Sequence, residues 1–187
     1  MALILASASP RRRELMGLIT PEFIVETSDV DESGITAATP ALLAQELATA
    51  KCRAVAAHHP REVVIGCDTV VECAGEVFGK PRDKADLLRM LRALSGREHQ
   101  VHTGVCVAHP GGQRVFAATT GVRFYPIPED WMERYAATDE PWDKAGGYAI
   151  QGAAALWCEG LNGCYYNVMG LPVSRLAQEL AQIMEKY

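Results

Sequence analysis

The run Val63-Val64-Ile65-Gly66-Cys67 constrains the fold more than any other stretch of this chain. It is apolar without the polar alternation of a half-exposed strand, and three of its residues are β-branched. Such a run is the mark of a buried strand in a sheet covered by other elements. It leads straight into Asp68-Thr69, which puts a carboxylate at the mouth of the strand. Sheet-based enzymes often hold catalytic groups there, where an Asp can anchor a divalent cation or take a proton from water. An Asx turn closing the strand uses the same residue type, so Asp68 alone decides nothing.

The flanking patterns add helices and further strands. Ala2-Leu3-Ile4-Leu5-Ala6 reads as a second, short buried strand. Ser9 then offers an N-cap hydroxyl and Pro10 suits the first helical position, with the helix continuing over 11–16 and ending at Gly17. Phe23-Ile24-Val25-Glu26 is a further strand. Over 39–58 the residues Leu42, Leu43, Leu47 and Ala50 recur at helical spacing and carry Lys51. A hairpin around Gly75 returns through Val77-Phe78 to Gly79-Lys80-Pro81. An amphipathic helix follows over 83–94, with Leu87, Leu88, Leu91 and Leu94 inward and Gly96 as its stop. Paired strands are expected over 101–108 and 115–124, joined by Pro110-Gly111-Gly112. Helices are expected over 129–137 and 172–186, the last burying Leu176, Leu180 and Ile183. Together these describe an α/β fold around a twisted mixed sheet. A length of 187 residues suits one domain.

Composition narrows the partners. The formal charge is −5, which argues against non-specific binding to nucleic acid or to anionic membrane surfaces. The six cysteines form no C-x-x-C pair, so reduced thiols are the simpler reading than zinc or disulfides. The apolar start is too short for a signal-peptide core, and no stretch is long enough to span a bilayer. The expected compartment is the cytoplasm.

Three constellations could carry chemistry. The turn Ser7-Ala8-Ser9-Pro10-Arg11-Arg12 joins a strand to a helix N-terminus, whose free N–H groups and partial positive charge suit a phosphate. Ser7 and Ser9 add hydroxyls, and Arg11 to Arg13 add guanidinium forks; a capped surface helix with solvated arginines accounts for the same residues about as well. Asp68 supplies a carboxylate. Lys80, held in a turn between Gly79 and Pro81, and Lys51, near a helix end, could be counter-charges or ordinary exposed lysines. The acids Asp29, Asp31 and Glu32 resemble metal-ligand spacing only loosely, and His58, His59, His99 and His102 look like surface or strand-end residues. The glycine-rich stretch 144–152 is expected as a loop against the site. Arginines, lysines, a carboxylate with a possible metal and a glycine loop are the inventory for hydrolysing a phosphoanhydride.

With these residues in view, the chain resembles the Maf family of nucleoside triphosphate pyrophosphatases along its whole length. The resemblance is carried by Leu5-Ala6-Ser7-Ala8-Ser9-Pro10-Arg11-Arg12, Val30-Asp31-Glu32, Ala50-Lys51, Gly66-Cys67-Asp68-Thr69-Val70-Val71, Gly79-Lys80-Pro81-Arg82-Asp83, Leu94-Ser95-Gly96, His102-Thr103-Gly104-Val105, and Lys144-Ala145-Gly146-Gly147-Tyr148-Ala149-Ile150-Gln151-Gly152. It implies cleavage between the α- and β-phosphates with a divalent cation, magnesium or manganese. It also implies Asp68 as general base or metal anchor, Glu32 supporting the metal, and Ser7, Ser9, Arg11, Arg12, Lys51 and Lys80 around the triphosphate. The implied fold is the elongated architecture of inosine triphosphate pyrophosphatases, with the site in a cleft between two lobes; a homodimer is plausible on the same ground. Arg12, Thr69 and Gln151 look like the branch that prefers dTTP and UTP. The Gln151 amide offers one donor and one acceptor, matching O4 and N3–H of uracil or thymine. Cys67 departs from the alanine familiar in this motif, a change between two small, readily buried residues. The same chemistry on 7-methyl-GTP, and a non-catalytic nucleotide-binding role in septum formation, are the competing expectations.

Overall fold

In the computed structural model, which describes residues 1–185, β1 (Leu3–Ala6) lies between β2 (Ile24–Val25) and β3 (Val63–Cys73) and runs parallel to both. The helix α1 (Pro10–Gly17) connects β1 to β2, and α2 (Pro40–Ala56) leads on to β3. The chain thus leaves β1 to one side and returns on the other. Open sheets place ligand crevices outside the carboxyl ends of strands at such a reversal.

The strand β3 is longer than its apolar run. β1 stops with Ala6 opposite Gly66, whereas β3 continues to Cys73, so Asp68 sits within the strand rather than at its end. Pairing explains the extension: β5 (Glu98–His109) runs antiparallel to β3 from Val64–Ala108 to Glu72–Gln100. On the opposite edge, β4 (Glu76–Phe78) pairs only with Val71 to Cys73. The mouth of the crevice is therefore a bare edge of β3 between the end of β1 and the start of β4. The sheet continues through β6 (Gly112–Phe124) to β7 (Cys158–Asn162) and has seven strands among the described residues. Thirteen residues in β6 reach about 40 Å, which makes the sheet long.

Helices cover both faces. α1 and α6 (Val173–Met184) pack Leu15, Met16, Leu176 and Leu180 against Leu5, Ile65 and Val105. α2 lies on the other face, with Ala48, Cys52 and Val55 against Ile4, Val64 and Cys106. Farther along the strands, α3 (Lys84–Leu94) and α4 (Glu129–Ala136) build a second core with Val71, Val101, Phe124 and Trp157. These two clusters define two lobes on one continuous sheet. The Asp83 side chain caps α3, and Leu87, Leu88, Leu91 and Leu94 are buried as their spacing predicts.

α2 departs from its expected face. Leu42 is exposed and Leu43 and Ala50 are half-buried, while Ala44, Ala48 and Cys52 are fully buried. The cause is on the sheet: a Cβ on Gly104 would stand 2.1 Å from the Ala44 carbonyl oxygen, and one on Gly66 would stand 2.4 Å from that of Ala48. The helix backbone lies directly on two glycines, so small residues face the sheet.

His99 and His102 also differ from expectation. β5 begins at Glu98, earlier than its apolar pattern, and both histidines are buried within it. β7 and the short helix α5 (Tyr165–Met169) carry no clear period and were not expected. The last helix ends at Met184; the expected end at 186 lies outside the described residues.

Candidate active site

The bare edge of β3 opens into a cleft of about 600 Å³ lined by both lobes. Strand alternation sends successive β3 side chains to opposite faces, and at this open edge both reach the cleft. Asp68 meets α2 and Thr69 meets α1.

Asp68 is buried, and its Oδ1 accepts from Lys51 Nζ at 2.5 Å. Lys51 comes from α2, whose position is set by the glycine contacts above. The same ammonium lies 2.9 Å from Glu32 Oε1, half of whose side chain is solvent-exposed. One lysine therefore gathers two carboxylates from separate segments. Asp31 is not part of this group: its carboxylate accepts from Ser33 N at 2.9 Å, and hydrogen bonds from the Ser33 side chain and main chain lower its pKa.

The turn after β1 is organised as its sequence predicts. Ser9 caps α1 by accepting from Arg12 N, Pro10 holds the first helical position, and Ser7 Oγ accepts from Ser9 N at 3.2 Å. Ser7, Ser9, Arg11 and Arg12 line the cleft; Arg13 is exposed and does not. Arg12 is largely committed to the protein: its Nε donates to Gly170 O at 2.8 Å and its Nη2 to Thr69 Oγ1 at 2.9 Å. Arg11 crosses the cleft to Asp143 at 2.9 Å. Burial pushes the Asp143 carboxyl up, but hydrogen bonds from Lys144 and Arg11 leave it below its usual value.

The far wall comes from the second lobe. Lys80 is exposed on the rim, and Gly146 N donates to Gly79 O at 3.0 Å, tying that rim to the glycine loop. Gly147 has φ +68°, and a Cβ there would stand 2.4 Å from Leu87 Cδ1, so the loop needs glycine to lie against α3. Beyond it Gln151 lies exposed in the cleft. Its loop is held from below: Ala149 N donates to Tyr135 Oη at 3.1 Å, and Tyr135 donates to Glu140 Oε1 at 2.9 Å.

Ser7, Ser9, Arg11, Arg12, Glu32, Lys51, Asp68, Thr69, Lys80 and Gln151 all line this one cleft, whereas Arg13, Asp29 and Asp31 do not. Sequence reasoning gave no role to Asp143 and quoted Thr103 and Lys144 only within motifs. Asp143 immediately precedes the glycine-rich stretch 144–152, and that adjacency was the available signal.

Among the described residues there is no cluster of three or more His, Cys, Asp or Glu side chains able to cage a metal. Two carboxylates on one point still fit a hard divalent cation. Magnesium-type ions take one or two protein carboxylates and complete their shell with water and substrate phosphates.

The mixed sheet with its cleft defines an α/β class shared with two solved structures. The Staphylococcus aureus Ham1 protein superposes with a TM-score of 0.57 at 18% identity, covering 97% of this chain and 99% of the other. A HAM1 protein from Coxiella burnetii gives 0.54 at 14% identity, over 97% and 100%. The family follows from sequence: residues 2–183 match the Maf-like protein family, and the chain belongs to it. A dTTP/UTP pyrophosphatase of Symbiobacterium thermophilum is 47% identical over 180 residues, 96% of this chain and 93% of the relative. That of Moorella thermoacetica is 48% identical over 181 residues, with the same shares. That of a Geobacillus species is 45% identical over 181 residues, 97% of each chain.

Proposed function

We infer that this protein is a nucleoside triphosphate pyrophosphatase that cleaves dTTP and UTP to the monophosphate and pyrophosphate. Relatives of that name match nearly the whole chain, and cleaving a phosphoanhydride calls for charge neutralisation on the phosphates and an activated water. The observation that carries the reading is the Asp68–Lys51–Glu32 cluster at the open edge of β3, facing the capped N-terminus of α1 across one cleft.

The chain's own residues divide the work. The α1 N-terminus, Ser7, Ser9 and Arg11 hold phosphate oxygens, with Lys80 closing from the opposite rim. Lys51 neutralises charge beside the scissile bond and holds Asp68 in place. Asp68 takes the proton from the attacking water. A divalent cation, held by Asp68 and Glu32, would supply charge neutralisation on the phosphates. Gln151 and Thr69 face the base, and Gln151 matches the paired acceptor and donor of uracil or thymine. β3, β5 and β6 run through both lobes, so the chain acts as one catalytic domain. Its substrate is a free nucleotide; the net charge of −5 disfavours nucleic acid. No helix among the described residues is long and apolar enough to cross a membrane, and the free cysteines accord with a cytoplasmic enzyme.

The test is a nucleotide panel with pyrophosphate detection in magnesium or manganese. Release from dTTP and UTP is expected. Strong hydrolysis of 7-methyl-GTP with silent dTTP and UTP would move the substrate assignment, and no release from any nucleotide would leave a binding protein.

A further inference from the structure

A buried chain of hydroxyls behind the cleft has a fixed direction. Thr103 on β5 is directly opposite Thr69 on β3, and it is completely buried. Its hydroxyl donates to the main-chain oxygen of Asn167 at 3.0 Å. A hydroxyl has a single proton, and a carbonyl can only accept. In the 2.9 Å contact between the two threonines, Thr69 must therefore be the donor and Thr103 the acceptor. Arg12 Nη2 donates into the same Thr69 oxygen at 2.9 Å. The order is Arg12 to Thr69 to Thr103 to the Asn167 carbonyl.

The far end of this chain is held in place. The Asn167 carbonyl also accepts from Gly170 N at 3.0 Å, so both its lone pairs are engaged. The Asn167 side chain, itself fully buried, donates to Val101 O at 3.1 Å and Thr120 Oγ1 at 2.9 Å. With no solvent at Thr103, nothing competes for its proton. The consequence reaches the cleft, because Thr69 lines it with its proton turned away. The hydroxyl offers substrate one lone pair and no hydrogen. A phosphate oxygen, itself only an acceptor, would be repelled there; a base N–H would be bound.

We propose that Thr103 is a specificity-determining positioning residue, which orients the Thr69 hydroxyl so that it and the Gln151 amide oxygen together accept the single ring N–H of a uracil- or thymine-type base as a bifurcated hydrogen bond. This rests on the activity proposed above and adds the polarity of its base site. Uracil and thymine carry a donor at N3, where cytosine carries an acceptor. The Arg12–Thr69 side of the cleft is then the base end, and Ser9, Lys51 and Lys80 mark the phosphate end.

The experiment compares kcat/KM for UTP and CTP in the wild-type protein, Thr103→Val and Thr103→Ser. Valine keeps the shape and removes the acceptor, freeing the Thr69 proton to turn towards cytosine. The UTP-to-CTP ratio is expected to fall about tenfold in T103V, the scale of one hydrogen bond, and to be restored in T103S. A folded T103V whose ratio stays within about twofold of wild type overturns the proposal. If T103V does not fold, Thr69→Val with pyrophosphate as competitor decides. A reduced ratio with unchanged pyrophosphate inhibition supports a base-facing hydroxyl; weakened pyrophosphate inhibition with an unchanged ratio puts Thr69 on the phosphates and overturns it. Wild-type turnover tests the activity separately. If the wild type turns over neither nucleotide, the ratio is read from the Kd of UTP and CTP in the same variants, with the same expected and contrary outcomes.

Discussion

Lys51 Nζ stands 2.5 Å from Asp68 Oδ1 and is the only cation the ion pairs place on that carboxylate among the described residues. The same ammonium also carries Glu32. Replacing it by methionine leaves two acids facing each other in a partly buried site. We expect Lys51→Met to lose about 2 kcal/mol of stability, on the scale of an ion pair deprived of one partner at intermediate burial. That corresponds to a melting temperature lower by about 4–8 °C. Magnesium should recover more of this loss in the variant than it adds to the wild type, because the cation substitutes for the missing charge. Thermal melts with and without magnesium check this; identical metal responses would remove the case for a cation at Asp68 and Glu32.

The close seating of α2 on Gly104 gives a second prediction. In Gly104→Ala the new methyl meets the Ala44 main chain, which cannot rotate aside. The helix must move, and Lys51 moves with it. A loss of about 1–3 kcal/mol in urea unfolding is expected, together with reduced turnover. A variant with wild-type stability and kcat would mean that the helix position is not what sets Lys51.

Arg11 is held by Asp143 across the cleft, although about half of the Asp143 side chain is exposed, 54%. Substrate phosphate competes with this carboxylate for the guanidinium. Asp143→Asn should lower KM by about two- to fivefold with kcat unchanged, since an exposed pair is worth at most about 1 kcal/mol. A raised KM would show that Asp143 orients Arg11 rather than competing for it.

Burial pushes His99 down to about 4 from its ordinary 6.5, while its Nε2 contacts Tyr148 Oη at 2.8 Å. The folded protein keeps the ring neutral, whereas the unfolded chain takes up a proton below pH 6.5. The stabilisation is complete above about pH 6.5 and declines as the pH falls towards 4, by about 3 kcal/mol in all. His102, whose pKa burial also lowers, adds in the same direction. His99→Gln should therefore lose less stability than wild type between pH 7 and pH 4.5, as read from urea midpoints. Parallel losses in the two proteins would contradict a neutral buried His99.

What could be read in advance was local. The Ser9 cap, Pro10, the Asp83 cap and the leucine stripe of α3 each act within a few residues, and the structure has them where their chemistry requires. Asp68 was visible as a polar residue after an apolar run, but its place inside β3 was not, because that depends on where β1 stops. The small-residue face of α2 becomes intelligible only once Gly66 and Gly104 lie beneath it. Asp143 meets Arg11 across 132 residues of chain, and Thr103 meets Thr69 only through strand register. Such relationships belong to pairing and topology, to which local patterning is blind.

The most direct measurement is the product analysis of UTP and dTTP turnover in magnesium for the wild type and Asp68→Asn, which keeps the shape of the side chain and removes its charge. The wild type should release the monophosphate and pyrophosphate, and D68N should be slower by about a hundredfold or more while remaining folded. Release of the diphosphate and orthophosphate, or near-wild-type turnover by D68N, would contradict the role given to Asp68.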